Sequence, residues 1–160
     1  MKHRTIDSPV GPLTLVVDDA GTLCALYTDR QKYFPDAAAL GERDDTIAAD
    51  AVAQLGEYFA GERDAFDLDL APRGTDFQRA VWRAIAAIPA GQTRTYGEVA
   101  HDLGKPGASR AVGAATGRNP ISIIVPCHRL VGAAGAMTGY AGGVDRKRWL
   151  LDHEAGVRRS

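Results

Sequence analysis

The residues best able to do chemistry sit together at positions 127 to 129, where Cys127, His128 and Arg129 follow directly on the apolar run ISIIVP. A thiol beside an imidazole and a guanidinium has the composition of an activated nucleophile. Neighbouring positive charge lowers a cysteine pKa from about 8.5 to roughly 3.5 to 7.5, and the thiolate is the form that attacks carbon. A fall of about two units would make thiolate the main species near neutral pH. Glu154, in the basic segment DRKRWLLDHE, is the nearest downstream glutamate and can hold the imidazole in one tautomer by accepting its second N–H. The competing reading is that Cys127 is one more small buried hydrophobe, the usual role of a free cysteine.

Several elements must position this group. Pro126 lacks an N–H and biases its predecessor toward extended backbone, so ISIIVP reads as a short buried strand whose end aims Cys127. Downstream, Gly132, Gly135, Gly139, Gly142 and Gly143 make regular structure unexpected between 132 and 143. That segment reads as a loop where backbone can approach a flat ligand, with Tyr140 held inside GYAGG. Upstream, Thr75 with Gln78 and Thr95 with Glu98 have capping-box spacing. The first opens a helix with the apolar stripe Phe77, Val81, Trp82 and Ile85. The second opens YGEVAHDL, and after the turn GKPGA a third helix, SRAVGAATG, begins near Ser109. Two short helices joined by a glycine-containing turn are a helix-turn-helix pattern, which structural lobes also use. Arg110, near a helix N-terminus, is electrostatically misplaced for stability, which invites a functional reading.

The first half is organised differently. HRTIDS, LTLVVDD and TLCALYTD, separated by Gly11-Pro12 and Gly21, predict an antiparallel meander. Ile47, Ala48, Ala51, Val52, Leu55, Tyr58 and Phe59 predict one amphipathic helix, and the alternation of FDLDL predicts a strand after it. We place the boundary between two lobes at 74/75: an α+β fold with a small antiparallel sheet and one helix in 1–74, and a mostly helical 75–160 carrying the helix-turn-helix and the cysteine.

Charge follows the same division. Residues 1 to 76 hold 7 Lys and Arg against 15 Asp and Glu, a balance of −8, whereas residues 77 to 160 hold 12 against 5, a balance of +7. A basic half suits a polyanion, because neutralised phosphates release counterions, although two oppositely charged lobes could also attract each other. With two cysteines, no CxxC or HxxxH spacing, no long apolar run and no apolar signal core in MKHRTIDSPV, we expect a cytoplasmic chain without disulfides, metal or membrane span.

These segments resemble a known family. NPISIIVPCHRL, GYAGG and RKRWLLDHE, together with TYGEVA and SRAVGAA, closely resemble the O6-alkylguanine-DNA alkyltransferases, or methylated-DNA-protein-cysteine methyltransferases, across nearly all of residues 75 to 160. TIDSPVGPLTL resembles the family's ribonuclease-H-like N-terminal domain. The resemblance implies direct-reversal DNA repair in a single turnover, without a cofactor, by a monomer that flips an O6-alkylguanine or O4-alkylthymine out of duplex DNA. In that scheme Cys127 accepts the alkyl group, His128 is the general base through a water, and Glu154 orients His128. Tyr96 would help rotate the nucleotide and protonate the purine, and Arg110 would fill the gap in the base stack. The helix carrying Ala111, Gly113 and Ala114 would lie in the minor groove. Leu130, Tyr140 and Ala141 would line the base pocket. Asn119 would brace the turn between the recognition helix and the active-site strand, or serve merely as a turn former before Pro120. Ala141 stands where some relatives carry serine, leaving the accepted alkyl size open, and the zinc ligands of some relatives have no full match. Rival readings are a lesion-binding relative without chemistry, which would lack the cysteine, and a Cys-His hydrolase, which would leave the basic half unexplained.

Overall fold

The computed structural model describes residues 1–31, 33–137, 140 and 142–159, with the side chains of residue 134 and residues 157–159 left aside. Strands β1 (Lys2–Ile6), β2 (Leu13–Val17) and β3 (Leu23–Thr28) form the expected antiparallel meander. A two-residue strand, β4 (Glu42–Arg43), runs parallel to β1, which sequence periodicity could not signal, and the sheet order is β3-β2-β1-β4. Every residue of β2 is buried, Thr14 included, as in a strand covered on both faces.

Helix α1 (Ala49–Phe59) begins two residues later than expected, because Ala48 adopts left-handed backbone at φ 52°. FDLDL forms no strand. Gln54 of α1 takes over the backbone of Asp67, accepting from its N–H at 2.9 Å and donating to its carbonyl at 2.9 Å. The segment touches the sheet through one bridge between Leu23 and Leu70. A side chain thus satisfies the groups that a neighbouring strand would have paired.

Helices α2 (Asp76–Ala86) and α3 (Tyr96–Asp102) both open with complete capping boxes, at Thr75 with Gln78 and Thr95 with Glu98. Helix α4 (Ser109–Gly117) packs on both, and the Trp82 indole of α2 donates to Ala115 O of α4 at 2.8 Å. Helix α5 (Val144–Arg159) closes the fold. Leu15, Leu26, Leu55, Ile85, Val112 and Cys127 belong to one core cluster, so a single apolar interior spans the two halves. Among the described residues, no helix is long and apolar enough to cross a membrane.

The run before the thiol is buried as expected but is not a strand. Leu26 donates to Pro120 O and Ser122 donates back to Leu26 O, giving one bridge to the edge of β3. The chain then turns at Ile123, whose φ of 71° is a left-handed conformation that β-branched residues rarely adopt. Asn119 holds this turn. Its side chain accepts from Ile121 N at 3.0 Å and donates to Val125 O at 2.9 Å.

Candidate active site

Cys127, His128 and Arg129 form a 3-10 turn, and all three are buried. Successive residues of such a turn point about 120° apart. Arg129 therefore faces away from the thiol: its Nε and Nη2 grip Glu154 of α5, each at 2.9 Å, and its Nη1 donates to Ile88 O at 2.6 Å. This overturns the expectation of a guanidinium-activated thiolate. Burial pushes the Cys127 thiol up from its ordinary value, outweighing a hydrogen bond from Asn119 and the charge of Lys147. Near neutral pH this burial favours the thiol over the thiolate.

The imidazole stands where expected. His128, 0% exposed, places Nε2 at 2.7 Å from Glu154 Oε2. Burial lowers the His128 pKa despite the glutamate, so the ring is neutral. Burial alone would raise the Glu154 carboxyl, but hydrogen bonds from His128 and Arg129 and their charge hold it at about 2. A carboxylate must accept, so Nε2 carries the ring proton and Nδ1 carries the lone pair. Nδ1 is buried and has no hydrogen-bond partner among the described residues. The same is true of the hydroxyl of Tyr140, whose ring meets His128 edge-on at 6.4 Å. Unsatisfied buried polar atoms are uncommon, and two occur on neighbouring rings beside the thiol.

Three residues of this site carried no local signal. Tyr58 of α1 donates its hydroxyl to Glu154 Oε2 at 2.6 Å across 96 positions of sequence. Lys147 of α5 is fully buried and donates to Leu130 O, and its charge acts on Cys127. Arg146 donates to Val10 O at 3.0 Å, to Asp29 O at 2.6 Å and to Gly142 O at 3.1 Å, and pairs with the Asp29 carboxylate. It ties the glycine loop to the sheet. Within that loop, a Cβ on Gly142 would come 2.6 Å from the Tyr140 ring, so only glycine lets the ring fold down there. The segment also contains a 3-10 turn at Ala133–Gly135, where no regular structure was expected.

Two short strands connect the thiol to the helix pair. Strand β5 (Arg94–Thr95) pairs in parallel with β6 (Leu130–Val131), Arg94 opposite Leu130 and Thr95 opposite Val131. The first residue of α3 and the last of the Cys-His-Arg turn therefore flank the same rungs. Tyr96, the first residue of α3, lies against α4, with its Cδ1 3.9 Å from where a Gly113 Cβ would stand. On α4, Arg110, Ala111 and Ala114 are exposed while Val112, Ala115 and Thr116 are buried. Of the basic residues beside this pair, Arg94 is engaged by Asp102 and Glu98, Lys105 sits over the Phe77 ring and Arg118 over the Tyr33 ring. Arg110 has no such partner among the described residues, which strengthens the functional reading of its position. Ala141 lies outside the described residues.

Comparison with known proteins matches this arrangement. Residues 76–156 match the 6-O-methylguanine DNA methyltransferase DNA binding domain, and residues 1–72 match the ribonuclease-like domain of the same enzymes. The chain belongs to the 6-O-methylguanine DNA methyltransferase family. It is 53% identical over 151 residues to a methylated-DNA--protein-cysteine methyltransferase of Mycolicibacterium paratuberculosis, covering 94% of this chain and 90% of the relative. A protein of the same name from Methanosarcina acetivorans is 48% identical, covering 96% and 98%. The fold superimposes on the crystal structure of Mycobacterium tuberculosis OGT in complex with DNA with a TM-score of 0.92 at 50% identity, covering 98% of this chain and 94% of that one. Membership in the family accounts for the joint presence of a DNA-binding domain and a buried cysteine.

Asn119 gives a direct test of how the thiol is held. Asn119→Ala leaves the buried Ile121 N–H without its partner, leaves the Val125 carbonyl only the Cys127 N–H, and frees the strained turn at Ile123. The expected loss is about 1 to 3 kcal/mol in urea denaturation, the cost of one abandoned buried group.

Proposed function

We infer that this chain repairs DNA by direct reversal, taking the alkyl group from O6-alkylguanine, and from O4-alkylthymine, onto Cys127 in a single turnover. The observation that carries this reading is the buried series of a Cys127 thiol, a neutral His128 with an unpartnered Nδ1, and an ionised Glu154 on Nε2. The thiol proton passes through one water to Nδ1, the sulfur attacks the alkyl carbon, the new S–C bond forms and the C–O6 bond breaks. Its electron pair passes to the purine. Tyr96 donates a proton to the ring as that charge develops, and the phenolate so formed regains a proton from the His128 imidazolium through solvent, which leaves both side chains neutral. The product is a thioether that water does not cleave, so the sulfur is consumed.

A thiol held protonated and buried until substrate arrives suits a reagent that is used once. A base within the duplex cannot reach it, so the nucleotide must leave the stack, at a cost of a few kcal/mol that is lower for a damaged base. In our reading the Arg110, Ala111, Gly113 and Ala114 face of α4 enters the minor groove, Arg110 fills the vacated stack, and Leu130, Tyr140 and Ala141 receive the base. The small side chains favour this, because a narrow groove penalises bulk. Residues 1–74 and 75–160 serve as a supporting unit and a reacting unit of one monomer in the cytoplasm.

Incubation with duplex DNA containing O6-methylguanine should add one methyl to the intact mass, located on the Cys127 peptide. Cys127→Ala should bind the same DNA and gain nothing. Affinity should fall steeply between 50 and 200 mM salt, by about tenfold or more, because phosphate contacts by the basic half release counterions. Repeated turnover of a thioester with an unmodified sulfur would sink the assignment in favour of a hydrolase.

A further inference from the structure

Glu154 Oε2 receives three donors, of which Arg129 Nη2 at 2.9 Å belongs to the buried ion pair and the other two differ in origin. One is His128 Nε2–H, from the reacting turn; the other is the Tyr58 hydroxyl, from the helix that follows the sheet. The remaining groups that act on or meet the imidazole are Arg129 from its own turn, Lys147 from α5 and Tyr140 from the glycine loop, while Ile88 contributes a carbonyl to Arg129. Tyr58 is 1% exposed and packs against the rings of Phe59, Phe66 and His153, so its hydroxyl is aimed by a rigid aromatic group. Burial and the adjacent carboxylate push its phenol far above the ordinary range, so near neutral pH it is a donor.

We propose that Tyr58 is a positioning residue of the alkyl-transfer site, which sets the basicity of His128 Nδ1 by sharing Glu154 Oε2 with His128 Nε2–H. The proposal rests on the alkyl-transfer reading above and assigns a specific task to the N-terminal half. Each donor on a carboxylate oxygen withdraws electron density from it. With Tyr58 in place, Oε2 pulls less on the imidazole proton, and the ring keeps a lower proton affinity. Without it, the carboxylate stabilises the imidazolium more strongly, and Nδ1 gains protons at a higher pH.

The test uses the full chain and Tyr58→Phe, which keeps the ring and removes the hydroxyl, beside Phe66→Leu, which disturbs the same aromatic group without touching Glu154. Single-turnover methyl transfer from O6-methylguanine DNA is followed by intact mass from pH 5 to 9, and His128 is titrated by imidazole NMR in the absence of DNA. In Tyr58→Phe the acid limb of the rate profile and the His128 titration should both move up by about half a pH unit. Phe66→Leu should lower the melting temperature and leave both midpoints in place. An unmoved midpoint in Tyr58→Phe, or an equal shift in Phe66→Leu, would overturn the proposal and leave alkyl transfer standing. A wild-type chain that gained no methyl would instead sink the alkyl-transfer reading, and the titration, which needs no turnover, would then decide the Tyr58 coupling by itself.

Discussion

Glu154→Gln should slow single-turnover methyl transfer by about 10²- to 10⁴-fold, the range over which a positioned base and its orienting carboxylate act. It should also destabilise the fold by about 3 to 5 kcal/mol, because removing one member of a buried ion pair strands the other. The stranded group is Arg129, buried and donating twice to this carboxylate. The amide can still accept from His128 Nε2, so the loss of rate measures the missing negative charge beside a developing imidazolium. Glu154→Gln combined with Arg129→Met, which removes both buried charges, should recover much of the stability and none of the rate.

The same variant should change how stability depends on pH. The Glu154 carboxyl titrates at about 2 in the folded chain, against an ordinary value of 4.5. A depressed folded pKa means that its contribution is complete above pH 4.5 and is lost as pH falls toward 2; at about 1.4 kcal/mol per unit this amounts to roughly 3 kcal/mol. The buried neutral His128 adds a loss of the same sign below its ordinary 6.5. Urea titrations between pH 2.5 and 7 should therefore show the wild type falling away in acid, while Glu154→Gln falls less steeply below pH 4.5.

Lys147→Met should slow transfer by about tenfold or more while leaving the fold as stable as the wild type or slightly firmer. A buried ammonium is a poor contributor to stability, and burial already lowers the Lys147 pKa. Its value is to the sulfur. Lys147 and Cys127 act on each other electrostatically inside the core, and thiolate formation there needs a nearby positive charge. With methionine filling the same volume, the thiol should resist ionisation further. Urea midpoints and quenched single-turnover rates, measured on one preparation, separate the two effects.

Much of this could be read before the fold was known, and the residues explain where reading stopped. Thr75 with Gln78 and Thr95 with Glu98 act within four positions, so the starts of α2 and α3 were legible. His128 and Glu154 were correctly paired from chemistry alone. Arg129 misled because adjacency in sequence is not adjacency in a 3-10 turn, and its charge went to Glu154. FDLDL alternates like a strand, yet its backbone partner is the Gln54 side chain, a long-range substitute that no pattern encodes. Tyr58, read only as part of an apolar stripe, reaches the site across 96 residues. β5 and β6, at two residues each, are too short to show any period.

Those two short strands have a mechanical consequence. Because Arg94 and Thr95 are hydrogen-bonded rung for rung to Leu130 and Val131, the start of α3 and the turn that carries Cys127 are indexed to one another like two teeth of a single gear. On the repair reading proposed above, a lesion seated by α3 and α4 would arrive in register with the sulfur, because backbone pairing rather than side-chain contact alone couples the two.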